Sequence, residues 1–154
     1  MGIPIDGTSE RMAASLARKG FAQTYEYNGY VYLEGDFAGY DNCELTIFPM
    51  LPYKDCVTSI SVWFNKHFLF LDAFKVYEDL QNALTKKYGK PYSVSTEQDK
   101  RKNLVFSFYS IPNGTIKLSV SCYEDMYQAY LIYYDDYNYN LLEKFKEEAK
   151  MNDL

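Results

Sequence analysis

The sequence predicts an α+β fold made of two tandem helix-plus-four-strand antiparallel units, with helices on one face of the sheet and a C-terminal helix. Two amphipathic helical patterns each precede a series of segments with alternating apolar and polar residues. Asn–Gly pairs between such segments mark tight hairpin turns, and short connections favour antiparallel pairing over βαβ crossovers. At 154 residues the chain is expected to form a single domain, with an internal pseudo-repeat of residues 1–67 and 68–154.

The first unit begins with a short helix. Thr8 or Ser9 can cap it, and Gly20 is its stop signal. The Asn28–Gly29 pair predicts a type I′ hairpin because both central residues of that turn need positive φ. Strands are expected at 21–27, 30–35, 43–48 and 57–64, with a loop over 36–42.

The second unit repeats this order. Asp72 is the expected cap of a helix that ends at Gly89, and Pro91 prevents its continuation. Asn113–Gly114 predicts another hairpin turn. Strands are expected at 92–96, 104–109, 115–123 and 127–134, followed by a closing helix over 141–150.

The predicted helix-plus-sheet plan resembles a known fold over nearly the whole chain, and two local motifs match it. Gly7–Thr8 and Tyr88–Gly89–Lys90–Pro91 resemble the helix cap and the helix-ending turn of the beta-lactamase inhibitory protein fold and of small outer-membrane assembly lipoproteins of the SmpA/OmlA type. The opening residues 2–8 and residues 35–40 are similar to proteins of gut Bacteroidetes, many of them exported. The resemblance implies a tandem helix-plus-sheet fold and a non-enzymatic binding role.

The composition excludes several function classes. A net charge of −5 with dispersed basic residues argues against nucleic-acid binding, and the Lys100–Arg101–Lys102 cluster is interpreted as a solvated loop. No apolar run approaches the roughly 20 residues needed to span a bilayer. The chain as written shows no export signal, which indicates either a cytoplasmic protein or, if it begins at a mature N-terminus, a periplasmic or secreted one.

Chemistry-bearing residues are sparse. The three cysteines, Cys43, Cys56 and Cys122, are expected to be reduced, buried thiols, because an odd number does not form a disulfide framework. The single histidine, His67, leaves no zinc-ligand spacing and no clear nucleophile pair. We therefore expect no catalytic residues, no metal and no cofactor.

Strand alternation assigns residues to the two faces of the predicted sheet. The helices should cover the face of Leu104, Phe106, Phe108, Ile116, Leu118, Val120 and Cys122. The other face should carry Val105, Ser107 and Lys117 together with the candidate binding residues Trp63, Tyr109, Tyr123, Ser59, Ser61, Ser119 and Ser121. The register of strand 127–134 stays open, because both of its sides offer tyrosines.

A Ser/Tyr/Trp face suits recognition, since Tyr and Trp offer large amphipathic contact area at small entropic cost. The leading hypothesis is a non-catalytic binding or interaction domain whose partner is a protein or a second copy of the chain. The alternative is that the Ser/Tyr/Trp face is solvated and binds no partner, so that its aromatic residues only stabilise the sheet by pairing across strands. A small-molecule or glycan site, possibly catalytic, between the two halves near Asp135, Asp136 and His67 is the functional alternative.

Overall fold

A computed structural model describes residues 5, 7–95 and 103–152. The expectations for the opening residues 2–4 and 6, for the Lys100–Arg101–Lys102 cluster and for the side chain of Leu104 lie outside what is described. The elements are α1 (Ser9–Ala17), β1 (Ala22–Tyr27), β2 (Tyr30–Phe37), β3 (Tyr40–Met50), β4 (Lys54–His67), α2 (Phe70–Tyr88), β5 (Ser93–Ser95), β6 (Asn103–Ile111), β7 (Gly114–Tyr123), β8 (Met126–Asp135) and α3 (Asp136–Asn152).

The strands form one eight-stranded antiparallel sheet in the order β1-β2-β3-β4-β8-β7-β6-β5. The predicted α+β class is therefore confirmed. Strands β4 and β8 meet at the centre of the sheet, with Ser59 opposite Tyr134 at one end and His67 opposite Tyr127 at the other. None of the helices in the described ranges is long and apolar enough to cross a membrane.

Tight turns connect β1 to β2, β2 to β3 and β6 to β7, although two of these turns lie at positions other than those predicted. The Asn28–Gly29 turn is confirmed, with φ of 49° and 77°. The expected loop over 36–42 is wrong, because β2 and β3 continue to a two-residue turn at Ala38–Gly39, where both φ values are positive. The second Asn–Gly turn is displaced by one residue: Asn113 has φ of 62°, but Gly114 already pairs with Ile111 as the first residue of β7.

The helix ends follow local capping chemistry. The Thr8 side chain accepts a hydrogen bond from the Arg11 N–H at 3.3 Å, as expected of an N-cap. Helix α2 begins earlier than predicted, after Leu69, so Asp72 is not its cap. Asp72 lies in the first turn instead, where its carboxylate interacts favourably with the helix dipole. Gly89 ends α2 with φ of 86°, as predicted.

Helices α1 and α2 lie on one face of the sheet, and the hydrophobic core fills the space between. On this face β7 presents Ile116, Leu118 and Val120, as the alternation predicted. Tyr133 of β8 joins them while Tyr130 and Tyr134 point the other way, which settles the register that the sequence left open.

The predicted faces of β6 are wrong. Tyr109 is 1% exposed on the helix side, where its hydroxyl donates to the Gln81 carbonyl at 3.2 Å, and Ser107 hydrogen-bonds the Tyr77 hydroxyl. Burial raises the pKa of both tyrosines, so both hydroxyls remain neutral donors. Ser107 leaves room for the Tyr77 ring, and Phe106 and Phe108 therefore lie on the opposite face.

Helix α3 lies on that opposite face, covering one end of the sheet. Its Tyr139 ring contacts Tyr134 with centroids 4.9 Å apart, and its Phe145 ring stacks on Tyr53 with centroids 5.1 Å apart. The helix also begins five residues earlier than predicted, at Asp136. The face opposite α1 and α2 is thus only partly open, contrary to the prediction.

The cysteines were predicted to be reduced, buried thiols, and Cys122 departs from this prediction because it is only partly buried. No disulfide joins Cys43, Cys56 and Cys122, all of which lie within the described residues. Cys43 and Cys56 are buried, and burial raises the pKa of the Cys43 thiol.

Candidate binding cleft

The end of the sheet face that α3 leaves uncovered forms a cleft of about 740 Å³. Strands β1 to β4 line one side, and the β7–β8 hairpin lines the other. Side chains and backbone of the following residues line it: Thr24, Tyr25, Tyr32, Leu33, Glu34, Glu44, Leu45, Thr46, Trp63, Lys66, Ser121, Cys122, Tyr123, Met126, Gln128 and Tyr130. The cleft therefore extends across the junction of β4 with β8.

Two stacked rings lie at this junction. Trp63 of β4 is directly opposite Tyr130 of β8, and their ring centroids are 4.5 Å apart at an interplanar angle of 27°. The Trp63 Nε1–H donates to Ser61 Oγ at 3.0 Å. This bond satisfies the indole donor and fixes the orientation of the ring, while Trp63 stays half-buried and accessible from the cleft.

A second aromatic group lies at the far side of the cleft. Tyr25 of β1 is opposite Tyr32 of β2, with centroids 5.7 Å apart, and Tyr25 also stacks on Tyr27 at 6.5 Å. Tyr25 is 58% exposed. These rings present apolar area and hydroxyl groups to solvent from regular strands, which hold them at fixed positions.

Two carboxylates lie between the aromatic groups. Glu34 of β2 is directly opposite Glu44 of β3, and Glu44 is directly opposite Trp63. Side chains directly opposite each other have Cβ atoms about 4.5–5.5 Å apart, so the two glutamates repel each other. Lys66 is the one basic residue lining the cleft, and no ion pair in the described part of the chain joins it to either glutamate.

An intramolecular cation lies beside the cleft on the same face. The Lys117 ammonium is 5.7 Å from the ring centroid of Tyr130 and 6.0 Å from those of Phe106 and Phe108. Cation–π attraction operates at such distances. Tyr130 thus contacts Lys117 as well as the Trp63 ring.

The predicted site residues divide into three groups. Trp63, Ser121 and Tyr123 line the cleft, and Tyr123 is 70% exposed. Ser59, Ser61 and Ser119 lie on the same face but are buried, with Ser61 bonded to Trp63 and Ser119 donating to the Val105 carbonyl at 2.8 Å. Tyr109 lies beneath α2 on the other face.

Ser61 and Ser119 therefore hydrogen-bond to neighbouring groups, and none of the three buried serines is accessible to a partner. Ser61 is bonded to Trp63 and Ser119 lies opposite Tyr130, so both have a packing role, which strand alternation cannot distinguish from a binding role.

The structure separates the residues of the predicted alternative site. Asp135 caps α3 by accepting from the Asn138 N–H at 2.9 Å, and Asp136 accepts from the Thr115 hydroxyl at 3.1 Å. His67 pairs with Tyr127, eight residues before Asp135 along β8, so His67 and Asp135 are about 26 Å apart at 3.3 Å per residue. The expectation that these residues share one site is wrong.

Glu34, Glu44, Tyr25 and Tyr32 line the cleft but were not among the residues predicted from the sequence. A usable signal was the β2–β3 hairpin, since a two-residue turn at Ala38–Gly39 brings residue 34 close to residue 44. Within the described ranges, no group of three or more His, Cys, Asp or Glu side chains is placed to hold a metal ion.

The arrangement offers aromatic surface and two carboxylates to a ligand. Gln128 also lines the cleft, but its side-chain amide donates to the Phe64 carbonyl at 2.5 Å. Comparison of the chain with protein-family models, with curated proteins and with solved structures finds no match to any of them. The cleft itself therefore supplies the observations that bear on function.

Proposed function

We propose that the chain is a non-catalytic binding or interaction domain and that the cleft around Trp63 is its binding surface. The observation that carries the proposal is the cleft of about 740 Å³, with the half-buried Trp63 ring, which stacks on the buried Tyr130, on one side and the Tyr25–Tyr32 pair on the other. Tyr and Trp dominate the energetics of protein recognition, particularly where they lie in concave, partly desolvated surfaces.

The rigidity of the cleft supports the same proposal. Its aromatic residues project from paired strands, and Trp63 is fixed by a hydrogen bond to Ser61. A surface that is ordered before binding loses less conformational entropy when a partner binds.

The tandem organisation is part of the proposal. Strand β4 ends the first predicted unit and β8 ends the strands of the second, and the two pair at the centre of the sheet. Under this interpretation the cleft extends over the junction of two similar units, and each unit contributes one ring of the Trp63–Tyr130 stack.

Site-specific photo-cross-linking in the producing cell tests the proposal. A photoreactive phenylalanine analogue replaces Tyr123 at the cleft. In the control protein it replaces Glu78, an exposed residue of α2. We expect one specific adduct from position 123, lost in the Trp63→Ser background and not formed from position 78. Adducts that are equal at both positions, or that survive Trp63→Ser, would contradict the proposal. An adduct between two copies of the chain identifies homo-oligomerisation.

A small-molecule or glycan ligand is the second candidate. The cleft volume falls within the roughly 300–1,000 Å³ of ordinary ligand pockets, and the exposed tyrosine rings suit stacking on a sugar. A ligand screen by thermal shift tests this candidate. A hit whose shift persists in Asp135→Asn but vanishes in Trp63→Ser places the ligand in the cleft, whereas the opposite pattern excludes it from there.

A further inference from the structure

One row of side chains across the sheet combines negative charge with aromatic rings. Glu34, Glu44, Trp63 and Tyr130 occupy neighbouring positions on β2, β3, β4 and β8, each directly opposite the next. All four line the cleft. Carboxylates therefore lie beside the accessible ring of Trp63.

This row lacks a cation of its own within the part of the chain that the structure describes. Glu34 and Glu44 form no ion pair there, although two like charges directly opposite each other destabilise a sheet. With two glutamates and one lysine, the cleft lining carries a net negative charge, as does the whole chain.

The adjacent row shows how this face accommodates a cation. Lys117 places its ammonium over Tyr130, Phe106 and Phe108 at 5.7–6.0 Å. On the other side of Tyr130, the Trp63 ring offers a second aromatic surface for a cation, and Glu34 and Glu44 add two negative charges beside it. A cation from a partner can therefore pair with the Glu34 and Glu44 carboxylates, which form no ion pair within the described residues.

We propose that the cleft binds an arginine side chain of a protein partner, held between the Glu34–Glu44 pair and the Trp63 ring. This inference rests on the proposed function and names the chemistry its partner presents. Arginine fits better than lysine because its planar guanidinium stacks on an aromatic ring while its N–H groups donate to carboxylates in the same plane. It also relieves the repulsion between the two glutamates.

Trp63 is the only tryptophan in the chain, so its fluorescence reports directly on the cleft. The probe is an acetylated, amidated glycine pentapeptide with arginine at its centre. Peptides of the same length with citrulline, the neutral isostere of arginine, or with lysine are the comparisons.

We expect the arginine peptide to change Trp63 fluorescence saturably, and the citrulline peptide to bind at least about tenfold more weakly, a difference of about 1.4 kcal/mol. The paired substitution Glu34→Gln and Glu44→Gln should weaken arginine binding by at least about tenfold as well. Glu78→Gln, the same change of charge on α2, should leave the affinity unchanged. Circular dichroism checks that each variant is folded.

Equal affinity for arginine and citrulline peptides would overturn the inference while leaving the cleft as a binding surface. Equal affinity for arginine and lysine peptides would overturn the preference for a guanidinium. No fluorescence response to any peptide, or unchanged arginine binding in the paired glutamine variant, would also overturn it. The cross-linking experiment decides the proposed function separately.

Discussion

Trp63 and Tyr130 stack face to face, with centroids 4.5 Å apart, where the central strands β4 and β8 meet. The pair connects the two halves of the sheet and also forms part of the cleft. Its stacking should contribute about 0.5–1.5 kcal/mol beyond the burial of the two rings. A double-mutant cycle with Trp63→Leu and Tyr130→Leu, followed by urea unfolding, should give a coupling energy in that range. Additive effects of the two substitutions would show that the contact contributes no specific stability.

Tyr109 and Tyr123 should differ sharply in their contribution to stability. Tyr109→Ser removes a buried ring from beneath α2 and should lower the free energy of unfolding by about 3–5 kcal/mol, whereas Tyr123→Ser on the exposed hairpin should change it by less than about 0.5 kcal/mol. Tyr109→Phe keeps the ring and should cost about 1 kcal/mol for the lost hydrogen bonds. Urea midpoints measure all three. A tolerant Tyr109→Ser variant would be incompatible with the position of Tyr109 in the core.

The Glu34–Glu44 pair should oppose folding. Replacing either residue by glutamine removes the repulsion between directly opposed carboxylates and should raise the free energy of unfolding by about 0.2–1 kcal/mol at low salt. High salt should reduce the gain, because it screens exposed charges. Glu78→Gln on α2 is the matched control and should have little effect. A loss of stability in Glu34→Gln and Glu44→Gln would mean that the carboxylates make favourable contacts in the unliganded chain.

Stability should fall at alkaline pH through the buried tyrosines. Burial under α3 raises the pKa of Tyr134 from 10.0 to about 12, and the nearby Tyr139 and Tyr130 contribute to the shift. The folded state therefore favours the neutral hydroxyl. The resulting stability is fully present below pH 10 and is lost as the pH rises towards 12.

Unfolding experiments at several pH values, on the wild type and on Tyr134→Phe, measure this contribution. The substitution should flatten the decline between pH 10 and 12 while other groups continue to titrate in both proteins. Identical slopes in the two proteins would rule out a protonation-linked contribution from Tyr134.

Much of the fold follows from local sequence signals. The Asn28–Gly29 turn, the Thr8 cap and the Gly89 helix end depend on backbone conformations that few residues adopt, so short-range chemistry determines them. Alternation on β7 was equally informative, because its apolar side carries branched aliphatic residues and its other side carries Ser and Lys.

The β6 faces could not be read in this way, because both sides of the strand carry aromatic residues. Tyr109 rather than Phe108 enters the core since α2 supplies acceptors for its hydroxyl, and Ser107 leaves space for the ring of Tyr77. Those partners are more than twenty residues distant in the chain, where local periodicity carries no information.

The cleft depends even more on distant residues. The position of α3 on the face opposite α1 and α2 decides which part of the sheet stays accessible, and no pattern within α3 reports that choice. The sequence predicted Trp63, Ser121 and Tyr123 at the site but not the Glu34–Glu44 pair, whose position depends on the register of β2 and β3.

The most direct test of the cleft as the binding surface is the affinity of two single variants for the partner that cross-linking identifies. Trp63→Ser alters the cleft, and Tyr109→Phe alters the helix-covered side of the same sheet. Binding measured by calorimetry should weaken at least about tenfold for Trp63→Ser and stay unchanged for Tyr109→Phe, provided that both variants are folded. Undiminished binding by Trp63→Ser, or a loss confined to Tyr109→Phe, would contradict the assignment of the binding surface to the cleft.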